Sequence, residues 1–136
     1  MGLLDVARIL FKAGTSRFSD FERLVLSHVA TELPADLQER FQRRIEAVNL
    51  VQRINGGREV NCFVMSNGKP TLDLATRIDF EVGEKLLAKF AIDARPGTEN
   101  TGKIWLVDGN LFSIEFDQAT EHAEPSAVVG VRIDMS

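Results

Sequence analysis

The stretch Lys103–Phe116, KIWLVDGNLFSIEF, decides how the rest of the chain is read. Asp108-Gly109-Asn110 supplies residues that tolerate positive φ, and alternating residues flank it, which predicts a two-stranded β-hairpin. Counting from the turn with a strict period of two puts Trp105, Val107, Phe112, Ile114 and Phe116 on one face. Ile104, Leu106, Leu111, Ser113 and Glu115 fall on the other. Both faces are apolar near the turn. A hairpin with one solvated face has no need of that, so contacts are expected on both sides.

Strands dominate on either side of the hairpin. Residues 88–95 alternate Ala88, Phe90, Ile92 and Ala94 against Lys89, Ala91, Asp93 and Arg95, the pattern of a half-buried strand. PGTENTG at 96–102 reads as a loop, as does the polar run 117–126. The last strand alternates Val129, Val131, Ile133 and Met135 with Val128, Gly130, Arg132 and Asp134. Upstream, Asn55-Gly56-Gly57 is a turn signal ahead of a strand from Arg58 to Met65, with Val60, Cys62 and Val64 on one face. Residues 71–87 show no clean period; a short strand is expected at 77–80.

The first third is helical. Residues 2–13 place Asp5, Arg8 and Lys12 on one narrow stripe, with apolar residues all round the remainder, so this helix needs partners on more than one side. Ser19-Asp20-Phe21-Glu22 is a capping box that opens a second helix with Phe21, Leu24, Val25, His28 and Val29 on one face. A third helix is expected from Pro34, an allowed first-turn residue, with the stripe Leu37, Phe41, Ile45 and Val48. Residues 49–54 fit either its last turn or a strand. Three helices followed by about five strands imply an α+β fold, a mostly antiparallel sheet with helices on one face, in a single domain over 1–136.

Composition narrows the function classes. The 136 residues carry 16 Lys+Arg and 20 Asp+Glu, a net charge of −4. The excess lies in the strand half, where residues 69–136 are at −5 and residues 1–68 at +1. No basic footprint for nucleic acid is present, and no apolar run approaches a membrane span. With one cysteine and no leader-like start, a cytoplasmic protein is expected.

Catalytic and metal chemistry find little support. His28 reads as a core-edge histidine near a helix C-terminus, and His122 as a solvated loop residue. Cys62, in phase with Val60 and Val64, reads as an inert buried thiol. Glu121, His122 and Glu124 are neighbours in a loop and are not expected to converge on an ion, so no metal and no cofactor is expected. Arg40, Arg43 and Arg44, followed by Arg53 and Arg58, read as a solvated basic face pairing with Glu39 and Glu46.

The expected function is therefore protein binding, in the manner of a small acidic inhibitor or bacterial immunity protein that masks a basic partner. The expected contacts are Asp93, Glu115, Asp117, Glu121 and Glu124, with Trp105 as aromatic anchor. A small-ligand or enzymatic α+β cone with a pocket between helices and sheet is the alternative. Segment 2–13 and the hairpin tip either pack on each other or mark a homodimer or partner interface.

Overall fold

A computed structural model describes residues 14–136, so the expected helix over 2–13 lies outside the described residues. Two helices come first, α1 (Asp20–Thr31) and α2 (Ala35–Ala47). Seven strands follow: β1 (Leu50–Ile54), β2 (Glu59–Ser66), β3 (Lys69–Thr71), β4 (Glu84–Ala94), β5 (Thr98–Val107), β6 (Asn110–Phe116) and β7 (Val128–Met135). The fold is α+β with an antiparallel sheet in the order β1-β2-β6-β5-β4-β7, and β3 pairs with β2.

The capping box forms as written. Ser19 Oγ accepts from the Glu22 backbone N–H at 3.1 Å, and the Glu22 carboxylate accepts from the Ser19 N–H at 2.8 Å. α2 begins one residue later than expected, because Pro34 is extended (ψ 152°) and serves as the cap instead of the first helical residue. Residues 49–54 resolve as strand β1, paired with β2 from Leu50↔Phe63 to Ile54↔Glu59.

Three expectations in the strand region are corrected. Residues 98–102 are strand, not loop: β4 and β5 stay paired out to Ala94↔Thr98, so only Arg95-Pro96-Gly97 turns. Residues 77–80 are not a strand; they lie in an irregular segment between the 3-10 turn Leu74–Thr76 and β4. The hairpin faces also differ. The register shifts between Trp105 and Leu106, so that Trp105 stands opposite Ser113 and Leu106 opposite Leu111. Phe112 is the extra residue, a bulge that reverses the alternation past it. Leu111, Ile114 and Phe116 therefore share the helix side with Ile104 and Leu106, while Trp105 points to the opposite side.

The core lies between helices and sheet. Phe21, Val25, Leu26 and Val29 of α1 and Phe41 and Ile45 of α2 meet Val51, Val60, Cys62, Phe90, Ile92, Ile104, Leu111, Ile114 and Phe116. Phe116 sits at its centre, with its ring 5.8 Å from Phe21 and 5.3 Å from Phe90. Cys62 is fully buried there, and desolvation pushes its thiol up to about 12.

Two charges are buried with partners. Glu22 receives a bidentate pair from Arg53 Nε and Nη2, both at 2.7 Å, which ties α1 to β1. Arg44 corrects the reading of a solvated basic face. It is buried beneath α2, where its Nε donates to the Leu111 carbonyl at 3.1 Å and its Nη1 to the Thr71 carbonyl at 3.2 Å. Burial holds its guanidinium below the usual arginine range, with Asp73 opposing that fall.

Candidate functional site

The segment between β3 and β4 has no periodicity of its own, because its shape is imposed by neighbours. Arg44 grips its start at Thr71. Asn110, buried at the first position of β6, donates Nδ2 to the Asp73 carbonyl at 2.9 Å and accepts from Thr76 Oγ1 at 2.6 Å. Arg40 of α2 donates to the Arg77 carbonyl at 3.2 Å. The Ile78 N–H then donates to the Gly109 carbonyl at 2.9 Å, and Asp108 and Gly83 exchange two bonds at 2.7 and 3.0 Å. Residues 72–83 thus form a strap sewn to α2 and to the tip of the β5–β6 hairpin. Asp108 and Gly109 are the two turn residues, with φ of 48° and 78°. Only a glycine fits at 109, since a Cβ there would lie 2.1 Å from the Asp79 carbonyl oxygen.

What the strap displays is apolar. Phe80 is 81% exposed, Val82 86% and Leu74 68%, with Leu72 also exposed. Asp73, Asp79, Glu81 and Glu84 stand among them. The Arg77 guanidinium lies 4.8 Å from the Phe80 ring centroid and covers one ring face. Lys85 reaches back to Asp79 at 2.7 Å and Glu81 at 3.2 Å. That ammonium and the Glu81 N–H hold the Asp79 carboxyl below the usual carboxylate range, and the same carboxylates hold Lys85 above the usual ammonium range. Exposed apolar residues on a loop that is pinned at both ends and in the middle make a preformed contact surface.

Comparison with protein-family models, with curated proteins and with solved structures finds no match.

The residues expected to bind a partner are placed apart. Trp105 is half-buried on the sheet face opposite the helices, flanked by Leu86 and Ser113. Glu115 is exposed on β6, opposite Lys103 and Glu59. Asp117, just past β6, accepts from the Thr101 hydroxyl. Asp93 lies two strands from Glu115, on β4, with Arg132 at 3.7 Å, and Arg132 also reaches Glu99 at 2.9 Å. Glu121 and Glu124 are exposed in the loop after β6, whose Thr120 and Glu121 N–H groups bond to the Gly56 carbonyl. The structure brings Glu115 and Asp117 together and leaves the others separate. The strap was missed; its one sequence signal is Asp79-Phe80-Glu81-Val82-Gly83-Glu84, large apolar residues interleaved with acids ahead of a glycine.

A second feature is an open groove of about 700 Å³ between the far ends of β4 and β5, the start of α1 and the loop after β6. Phe21 and Ile92 form its floor, while Arg95, Glu99, His122 and Glu124 stand on its walls. His28 is not among its lining residues; it sits half-exposed in the last turn of α1. His122 is exposed beside Glu121, at 3.8 Å. Among the described residues no group of three or more His, Cys, Asp or Glu is arranged to hold a metal ion. No helix among them is long and apolar enough to cross a membrane.

Proposed function

We propose that the protein is a binding module for another protein and that strap 72–83 is its contact surface. The observation that carries this reading is the near-complete exposure of Phe80 and Val82 on a segment held by hydrogen bonds from Arg40, Arg44 and Asn110 and by its own Ile78 N–H to the Gly109 carbonyl. An apolar side chain on a mobile loop loses entropy when it binds; here backbone groups of the segment are already held before a partner arrives, which lowers that cost. Phe80 and Val82 serve as the apolar anchors, and Asp73, Glu81 and Glu84 select a partner whose hollow is rimmed by Lys or Arg. An acidic inhibitor that masks a basic surface, expected from charge alone, is the functional class this arrangement suits. The test is paired affinity capture from the native host with the wild-type chain, Phe80→Ser/Val82→Ser, and Val129→Ser as an exposed apolar control on β7. A protein retained by wild type and control but lost by the double variant supports the reading. Identical retention by all three sinks it.

The groove favours a second reading, a small-ligand site. Its volume falls within the range of about 300–1,000 Å³ typical of ligand sites, and it has an apolar floor with two carboxylates and a histidine on its walls. Chemical-shift changes at Phe21, Ile92 and His122 on screening small polar aromatics would support it; an unresponsive groove would count against it.

A further inference from the structure

β7 is an outermost strand, and among the described residues it pairs only with β4. The ladder fixes which of its backbone groups remain free. The Ser136 N–H donates to the Leu87 carbonyl at 2.9 Å and the Arg95 N–H to the Ala127 carbonyl at 2.8 Å, so odd-numbered residues of β4 bond towards β7. In an antiparallel pair, opposed residues alternate between bonded and unbonded positions. Gly130, Arg132 and Asp134, opposite Asp93, Ala91 and Lys89, therefore direct their backbone groups to β4. Val131, Ile133 and Met135 turn theirs out to the free edge. Such an edge is usually blunted. Here a bulge at Val129 interrupts only its start, since Gly130 stands opposite Asp93 and Val128 opposite Ala94. From Gly130 onward the pairing has no further shift and the sequence no proline. The side chains divide by face. Val131, Ile133 and Met135 are half-buried and packed against the core, while Arg132 and Asp134 are exposed on the outer side.

We propose that β7 is the seam of a symmetric dimer, pairing antiparallel with β7 of a second copy over residues 130–136. Only the outward-bonding residues 131, 133 and 135 can bond across the seam, which leaves few registers. Val131 opposite Ile133 of the copy sets Arg132 against Arg132, and Ile133 opposite Met135 sets Asp134 against Asp134. Val131 opposite itself runs the pairing into the Val129 bulge, and Met135 opposite itself pairs only 134–136. The remaining register centres on Ile133. It sets Val131 against Met135 and Arg132 against Asp134, each twice by symmetry. All three outward residues then bond, giving about six backbone hydrogen bonds. Charges alternate across the seam, because Lys89 stands opposite Asp134, which meets Arg132 of the copy. Glu99 at 2.9 Å and Asp93 at 3.7 Å already hold Arg132 on this face. The complementarity of one short strand with itself favours a second copy over an unrelated strand. The pairing uses no residue of strap 72–83, so a dimer carries two straps, and the proposal stands or falls apart from the strap reading.

Charge exchange tests the register. The wild-type chain is expected to sediment as a dimer. Arg132→Asp opposes two carboxylates across the seam and Asp134→Arg opposes two guanidinium groups, and each is expected to weaken the dimer about tenfold. Mixed in equal amounts, the two variants present opposite charges at both contacts and are expected to bind each other about tenfold more tightly than either binds itself. A wild-type chain that stays monomeric at high micromolar concentration overturns the proposal, as does a mixture no tighter than the single variants. Amide exchange separates this seam from any other and needs no variant. The N–H groups of Val131, Ile133 and Met135 are expected to gain protection as wild-type concentration rises. A dimer that leaves them exchanging freely assigns the contact to another face and overturns the proposal.

Discussion

Gly109→Ala tests whether the strap is pinned as described. Two costs arise, and the structure separates them. The first is conformational: φ at 109 is 78°, a left-handed value that costs an L-residue about 1–2 kcal/mol. The second is steric and local. The new Cβ would stand 2.1 Å from the Asp79 carbonyl oxygen, and that backbone must move away. Its retreat breaks the Ile78 N–H bond to the Gly109 carbonyl and leaves the half-buried N–H and the carbonyl of buried Gly109 unsatisfied, about 1–3 kcal/mol more. Gly68→Ala is the matched control, since its φ is 75° and nothing lies within 4 Å of the added Cβ. Urea unfolding should place Gly68→Ala about 1–2 kcal/mol below wild type and Gly109→Ala about 2–5 kcal/mol below it. Trypsin supplies the local readout. In the native strap the Arg77 carbonyl is held by Arg40 and the Ile78 N–H by Gly109, so the Arg77–Ile78 bond is held on both sides and should resist cleavage. Gly109→Ala should be cut there faster than Gly68→Ala. Equal stability of the two variants with equal cleavage at Arg77 would refute the reasoning.

Further outcomes follow from the buried and paired groups. Arg53→Ala leaves the Glu22 carboxylate buried with only its cap hydrogen bond, and should cost about 3 kcal/mol or more in urea unfolding. The Glu22→Leu/Arg53→Leu double variant should recover part of that loss, and a double variant worse than Arg53→Ala would show that the pair itself stabilises. The Cys62 thiol, held up to about 12, should resist iodoacetamide at pH 8 in the native chain and react once the chain is unfolded in urea; labelling at equal rates would contradict its burial. Asp79 is held low by Lys85, so its contribution is present above the ordinary aspartate value near pH 4 and is lost as pH falls through the lowered one. The stability gap between wild type and Asp79→Asn should therefore close below about pH 4, and a pH-independent gap would exclude the ion pair as its source.

How much of this was legible in the sequence depends on whether a feature is local. The capping box Ser19–Glu22 and the turn within Asp108-Gly109-Asn110 are set by residues within four positions; the cap forms as read, and the turn falls on Asp108-Gly109. The helices-then-strands order gave the fold class. The hairpin faces were misassigned because a period of two holds only without a bulge, and Phe112 is one. The fate of Arg44 depends on carbonyls of Thr71 and Leu111, which are 27 and 67 residues away, so no local pattern marks it as buried. The strap was illegible for the same reason. Its conformation is set by Arg40, Asn110 and Gly109, and the short alternation at 79–82 is not sustained over the segment as a strand or helix period. The acids at 93, 115, 117, 121 and 124 were grouped by charge alone, and the folded chain distributes them over two strands and a loop.

The central claim is that the strap meets a partner protein, and photo-crosslinking from Val82 tests it most directly. A benzophenone side chain at position 82, in the native host, is expected to give one discrete crosslinked product. The same group at Val129, the exposed apolar position on β7, should not give it. No product from position 82, or the same products from both positions, would contradict the claim.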